Sequence, residues 1–501
     1  MKALLGAIAA LAALLLASGA SADPLRYGVA DDWPQFHTCG DEWWQAAKDI
    51  GYTQLRMTVQ WNADSPAVIP NQGNIAAAVD CAQLNDVKPI LAVYPLKPSA
   101  IGANVAMQRQ FAAFVALVGT AFPGVRDFIV GNEPNVNRFW QPQYRRGTDA
   151  AAVDYEHTLA ASYDALKAVR PDAFVWGPAI SSRGNDDPKA RSNPSHSPVW
   201  FIKDLGDAYR KTGRTIPIFD VFDMHPYPPI QDTLPFTAPF RWPKAGAANL
   251  DRIKQALWDA FHKTGQPIVT EQPGMYSLPV ALDEVAEQTV VTGHAEMYGD
   301  PPENVIPITE RQQASAYVQV AELAACDSSV TSLLYFPLID GTQLADGFQS
   351  GSLYADLTHK LSYAAVKQKI ASAQGFCQGG ISGVPRSWRH ATQVIGATGA
   401  FGVDGGSPGA HRPAGVTPLQ TEVTAAEDAT YSATLRRVGG GPVGLPLKGT
   451  MKAYVLQKIA FKLAVRPGRY AITVELRAVT NPGRFTLLRS RPFAVTQPPA
   501  R

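Results

Sequence analysis

Apolar positions recur along this chain in two rhythms. Short runs of β-branched and aromatic residues fit buried strands, and longer stretches whose apolar residues return every three or four positions fit amphipathic helices. From about residue 26 to residue 372 the two alternate. Strand-like runs lie at 27–29, 54–61 (QLRMTVQW), 89–94 (PILAVY), 127–130 (DFIV), 174–180 (FVWGPAI), 219–227 (FDVFDMHPY), 267–272 (PIVTEQ) and 332–339 (SLLYFPLI). Helix-like stretches lie at 41–51, 73–84, 105–122, 149–169, 199–212, 250–264, 309–325 and 362–371. Asp41 and Thr309 stand where N-caps belong, and Gly51 where a left-handed residue ends a helix. Alternation of this kind predicts an α/β fold, a (β/α)8 TIM barrel. An open doubly wound sheet is the alternative, but no glycine-rich phosphate loop follows an early strand.

After Cys377 the pattern changes. Residues 379–406 are rich in Gly, Ser and Pro and read as a linker. From Pro418 onward, short alternating runs at 431–435, 460–464, 470–476, 485–488 and 491–496 are separated by turn residues such as Arg466-Pro467-Gly468. They predict a small C-terminal all-β sandwich of immunoglobulin-like size. The expected division is a barrel at 23–378, a linker at 379–410 and a β-sandwich at 411–501. The sandwich carries no catalytic constellation. It reads as a stabilising or spacing domain, with contact to a polysaccharide or cell wall as the alternative.

The first 22 residues read as a secretory signal: Lys2 is the charged start, 4–17 an apolar Leu/Ala run, and Ala20-Ser21-Ala22 a small-x-small cleavage site. That run is short for a membrane span and no stop-transfer flank follows, so export is expected, without a membrane span. An exported chain can form disulfides. Cys39, Cys81, Cys326 and Cys377 include no CxxC pair, which speaks against zinc. Three pairings are open, and joining neighbours along the chain is the simplest. The chain has 501 residues, 46% hydrophobic and 18% charged, enough for a full barrel and a smaller domain. A formal net charge of +2 gives no reason to expect a nucleic-acid partner or an anionic surface. The 10 Trp and 17 Tyr are a modest hint of a sugar binder, because aromatic faces stack on pyranose rings.

Candidate chemistry concentrates at strand ends. Residues 127–137 read DFIVGNEPNVN, an apolar run that stops on Gly-Asn-Glu-Pro. Pro134 removes a backbone donor and ends the ladder, so Glu133 is expected to face the barrel mouth, where such folds hold their chemistry. The run at 267–272 is built alike and ends in Glu271. Two glutamates at the ends of strands four and seven would face each other, as glycosidic hydrolysis requires of an acid and a nucleophile or base. Asn132 is placed to donate to the sugar hydroxyl beside the anomeric carbon. Arg56, in the middle of strand two, needs an anionic partner there; Glu271 is the expected one, held ionised by the cation. His225 and Tyr227 end strand six, where Tyr227 is placed to donate to Glu271 and His225 to bond substrate or Glu133. Trp61, Tyr94, Trp140, Tyr276 and Phe336 fall at or just beyond strand ends and are expected to form a stacking rim, with Trp140 foremost and Phe336 as a floor. Asp31 and Asp32, after strand one, are candidates for sugar hydroxyls.

Val130-Gly131-Asn132-Glu133-Pro134-Asn135, Asp223-Met224-His225-Pro226-Tyr227-Pro228 and Ile268-Val269-Thr270-Glu271 together resemble the retaining glycoside hydrolases of clan A, near families five and thirty-nine. The likeness covers the barrel, about two thirds of the chain. It implies a (β/α)8 fold, Glu133 as acid/base, Asn132 as its sugar-binding partner, Glu271 as nucleophile, Arg56 as the strand-two arginine, and His225 and Tyr227 as a strand-six pair. It implies a carbohydrate substrate and no cofactor or metal. The chain departs from the pattern at Gln272-Pro273-Gly274 after Glu271, and at Phe336-Pro337 where a tryptophan is frequent. A non-catalytic carbohydrate-binding protein on the same scaffold, and a transglycosylase with the same residues, are the alternatives.

Overall fold

The computed structural model describes residues 25–229, 235–271, 277–299, 305–373, 377, 388–401, 411–413, 419–461 and 466–496. The expected signal segment lies outside them. The first part alternates strands and helices: β1 (Arg26–Ala30), α1 (Glu42–Ile50), β2 (Gln54–Trp61), α2 (Gln72–Leu84), β3 (Lys88–Pro95), α3 (Val105–Ala121), β4 (Asp127–Val130), α4 (Ala151–Val169), β5 in two pieces (Phe174–Trp176 and Ile180–Ser181), α5 (Pro198–Thr212), β6 (Phe222–His225), α6 (Leu250–Phe261), β7 (Val280–Val285), α7 (Glu310–Ala325), β8 (Val330–Tyr335) and α8 (Leu361–Ala373). The helix ends follow the expected chemistry. The Asp41 side chain accepts from the Trp43 amide at the start of α1, and Gly51 ends that helix at φ 96°. Thr309 and Gln312 form a reciprocal capping box on α7.

The strands pair in parallel in the order first piece of β5, β4, β3, β2, β1, β8, β7, β6, second piece of β5. The two ends of this order are consecutive pieces of one chain segment, and Trp176 also bridges Val221 in parallel. The sheet therefore curls back on itself. Gly28 is required by the close pairing of β1 and β2, since a Cβ there would stand 2.3 Å from the Gln54 carbonyl oxygen. Side chains alternate across the sheet with period two. One parity, including Ile90, Ala92, Ile129, Trp176, Ala281 and Leu334, packs inside the curl. The other, including Leu91, Val93, Phe128, Leu282 and Leu333, packs outward in the larger core with the helices.

Two expectations about this part need correction. Residues 267–270 are not a sheet strand. The Ile268 carbonyl accepts from Leu278, and the Thr270 amide donates to the Ser277 hydroxyl, so the segment folds onto the approach to β7. The place beside β6 belongs to β7, with Phe222, Asp223 and Met224 opposite Val280, Ala281 and Leu282. Strand five is interrupted rather than continuous.

The C-terminal part is all β. One sheet holds β9 (Thr398–Phe401), β11 (Leu419–Thr424) and β14 (Gln457–Phe461), paired antiparallel. The other holds β10 (His411–Pro413), β12 (Ala429–Arg437), β13 (Leu447–Met451), β15 (Gly468–Ala478), β16 (Phe485–Arg489) and β17 (Phe493–Thr496), antiparallel except where β10 pairs β17. Val423, Leu435, Ile472, Val474 and Leu476 lie in its own apolar core. Val394 and Phe401, expected in a linker, belong to that core too. The two parts meet at Arg484, whose buried guanidinium is held by Asp259 of α6 and by Glu427. Disulfides join Cys39 to Cys81 and Cys326 to Cys377, the simplest of the three pairings. Among the described residues no helix is long and apolar enough to cross a membrane.

Candidate active site

A cleft of about 700 Å³ opens at the C-terminal ends of the curled sheet, where Asn132 and Glu133 follow β4, Tyr227 follows β6, and Glu284 lies near the end of β7. After β4 the Gly131 amide donates to the Val93 carbonyl, and the chain then turns sharply. Gly131 has φ 95°, and a Cβ there would stand 2.8 Å from the Tyr155 ring. Glu133 itself has φ 40°, a left-handed conformation uncommon for a residue with a side chain. Its amide is fixed by the Ala179 carbonyl at 2.9 Å. This local strain, held by the surrounding structure, aims the Glu133 carboxyl into the cleft, at the margin that β6 closes.

His225, fully buried at the end of β6, places Nδ1 3.0 Å from Glu133 Oε1. The same nitrogen lies 3.6 Å from Glu284 Oε2. Arg56 reaches up from the inward face of β2. Its Nη1 donates to Glu284 Oε2 at 2.9 Å, and its Nη2 donates to Asn132 Oδ1 at 2.7 Å. A guanidinium only donates, so the amide oxygen of Asn132 is committed to it and the amide NH2 remains as the donor at the cleft surface. The Tyr227 hydroxyl donates to Glu284 Oε1 at 2.7 Å. Asn132, Glu133, Arg56, His225 and Tyr227 are thus brought together as their strand positions predict. The acid they gather around is Glu284, not Glu271.

Glu271 does not line the cleft. Its carboxylate lies 2.9 Å from His390 Nδ1 and its side chain is 37% exposed. His390 in turn stacks on Trp258 with ring centroids 3.9 Å apart. The strand that delivers an acid to the cleft is β7, and it does so through an irregularity. Leu282 and Val285 of β7 pair with Leu333 and Tyr335 of β8, so one extra residue is accommodated between them. Alternation from Ala281 would place Asp283 inside and Glu284 outside. The extra residue lets both consecutive acids face inward: Asp283 below, Glu284 at the cleft.

Burial on its own raises the pKa of Glu284, but the charges of His225 and Arg56 and the hydrogen bonds from Tyr227 and Arg56 outweigh it and hold the group below the ordinary glutamate range. Glu284 is a carboxylate at neutral pH. His225 shows the converse balance: burial disfavours its charge, but Glu284 and Asp283 outweigh burial and lift it well above the ordinary histidine range. Burial, then the neighbouring Glu284 charge, push the Tyr227 hydroxyl well above the usual tyrosine range, so it stays a donor.

The aromatic rim divides. Phe336 and Tyr94 line the cleft, Phe336 edge-on to Phe348 at 5.3 Å and Tyr94 edge-on to Phe139 at 6.3 Å. Trp61 and Trp140 do not. Trp61 follows Gln60, whose side chain faces the cleft, and period two turns Trp61 outward against Phe111 of α3. Trp140 is buried against Tyr155 of α4. Large indoles at these positions fill the layer between sheet and helices. Tyr276 lies outside the described residues. Asp32 lines the cleft, whereas Asp31 lies beneath it, accepting from the Trp43 indole and the Leu338 amide, with burial pushing its pKa up to about 6. Sequence reasoning missed Asp283, Glu284, Arg138 and Arg183; the last three of these line the cleft. The one signal for the β7 pair was two adjacent acids inside an apolar run, VALDEV.

No family model matches this chain, and no curated protein matches it. Solved structures similar to it include a family 39 glycoside hydrolase from Bacteroides cellulosilyticus, at 16% identity, covering 88% of this chain and 82% of that one, with a TM-score of 0.48. A monomeric beta-xylosidase from Caulobacter crescentus matches at 15% identity over 92% and 98% of the two chains, with a TM-score of 0.45. An endo-beta-1,4-mannanase from Thermotoga petrophila matches at 11% identity over 96% and 99%, with a TM-score of 0.40.

Proposed function

We propose that this chain is an exported retaining glycoside hydrolase that cleaves O-glycosidic bonds of a poly- or oligosaccharide by double displacement, with Glu133 as acid/base and Glu284 as nucleophile. One observation carries the reading: a single imidazole nitrogen touches both carboxyl groups in one cleft. Their nearest oxygens are therefore separated by no more than those two contacts laid end to end. That bound accommodates the roughly 5 to 5.5 Å of retaining enzymes and excludes most of the roughly 6.5 to 9.5 Å range of inverting ones.

In the first half-reaction the ionised Glu284 oxygen attacks the anomeric carbon. The bond to the leaving oxygen breaks, and that oxygen takes the proton of Glu133. In the second half, water adds to the anomeric carbon and gives its proton to the Glu133 carboxylate, while Glu284 departs as a carboxylate. Tyr227 and Arg56 bind the two oxygens of Glu284, which keeps it anionic and orients it before attack. The Asn132 amide is placed to bond the hydroxyl beside the anomeric carbon, and Tyr94 and Phe336 offer apolar faces to sugar rings.

The curled sheet is read as a (β/α)8 barrel extending to about residue 378, with the β-sandwich beginning ahead of Thr398 rather than at 411. Arg484 supports a stabilising role for that sandwich, because it locks the two parts through buried ion pairs. Two disulfides support export into an oxidising compartment. The test is a glycan-panel hydrolysis screen with the first-formed product followed by NMR. A released sugar with the anomeric configuration of its substrate is expected. Inverted product would refute the double displacement, and binding without turnover on every glycan would refute the enzyme.

A further inference from the structure

Below the two cleft glutamates lies a second pair of acids that the proposed reaction does not use. Asp283 of β7 and Asp223 of β6 are fully buried. Asp283 Oδ2 lies 3.5 Å from His225 Nε2 and 3.5 Å from Arg56 Nε. Asp223 Oδ1 accepts the Ala179 amide at 2.7 Å. Among the described residues, the charged groups that face the His225 ring are Glu133 from the end of β4 and Glu284 from β7 at Nδ1 and Asp283 from β7 at Nε2, with Asp223 two residues earlier on β6 and Arg56 from β2 against Asp283.

We propose that Asp283 is a positioning residue that holds the His225 imidazole doubly protonated between the two cleft glutamates. A carboxyl oxygen 3.5 Å from Nε2 favours a proton on that nitrogen. Carboxyl groups facing Nδ1 favour a proton there as well, and a ring with both nitrogens protonated is a cation. The charges of the buried set balance on this assignment. Arg56 and His225 face Asp283 and Glu284, and Asp223 is the member that burial and the neighbouring Asp283 drive toward its neutral form. Balance matters because an uncompensated charge at this depth is costly. The adjacency of the two acids, made possible by the extra residue in β7, lets one strand anchor the cation from below and present Glu284 above. The role in turnover rests on the hydrolase reading; the protonation of His225 does not.

The experiment is Asp283→Asn in the full chain, followed by histidine side-chain NMR and by pH-dependent kinetics, with the His225 signal identified by its loss in His225→Asn. In the wild type His225 should be imidazolium throughout the neutral range. In D283N it should titrate within that range, and kcat should be about halved at the midpoint of that titration and fall about tenfold for each further pH unit above it. KM should change little, and kcat should return toward the wild-type value as pH is lowered below the new titration. An unmoved His225 titration, or a loss of kcat equal at every pH, would overturn the proposal. Should D283N fail to fold, the wild type decides: a neutral His225 at pH 7 overturns the proposal, and an imidazolium retained there and in Asp283→Glu supports it. If His225 behaves as stated but no glycan is turned over, the hydrolase reading fails and the electrostatic assignment stands.

Discussion

Replacing Glu284 by glycine is expected to lower turnover of an activated glycoside on the order of 10⁴-fold or more, and to regain part of it when azide is supplied. The loss is large because, among the described residues, nothing else in the cleft stands where Glu284 does. Arg56, Tyr227 and His225 converge on its two oxygens, and each faces them as a cation or a protonated hydroxyl rather than as a free nucleophile. Removing the carboxymethyl-methylene side chain leaves space beside the anomeric carbon, between groups already arranged for an anion. Azide, small and anionic, fits both the space and the charge. The parallel substitution Glu271→Gly should leave kcat within about threefold, because an exposed carboxylate paired to His390 outside the cleft touches no reacting atom. Measuring both variants on one substrate separates the two glutamates directly.

Glu133→Ala is expected to cost about 10² to 10⁴-fold in kcat/KM on substrates whose leaving alcohol needs a proton, and far less where the leaving group departs unaided. The two halves of the reaction should separate in this variant. With an activated leaving group the first step runs, the second lacks its base, and the glycosyl-enzyme accumulates, so a burst followed by slow turnover should appear in rapid-mixing kinetics. Equal losses for good and poor leaving groups would mean that Glu133 binds or positions rather than transfers a proton. His225 also touches Glu133, so the His225→Asn variant is the control for a purely electrostatic contribution.

Much of this site was legible in the chain because it follows from strand ends and from the cost of burying charge. Glu133 sits where an apolar run meets Gly-Asn-Glu-Pro, and Arg56 inside a strand required a partner. Both arguments use only residue type and spacing. The partner itself was hidden by register. Period-two alternation marks 282 and 284 as one face and 283 as the other, so two adjacent acids in VALDEV look like a defect of a strand. Only the extra residue against β8 lets both face inward. The run PIVTEQ imitated a strand end more convincingly, with β-branched residues before its glutamate, yet its backbone bonds go to residues 277 and 278. The demand raised by Arg56 applied equally to Asp283 and Glu284, and weighing every acid in an apolar run against that demand would have reached them. Trp61 and Trp140 fail for a simpler reason: proximity to a strand end does not say which face a side chain takes. The period-two rule applied from Gln60 turns Trp61 away from the cleft.

The most direct measurement is covalent trapping. The enzyme is treated with a fluorinated, activated glycoside that slows the second half-reaction, then digested, and the labelled peptide is sequenced by mass spectrometry. A sugar attached to Glu284 is the predicted result. A sugar attached to Glu271, or to any residue outside the cleft, would contradict it.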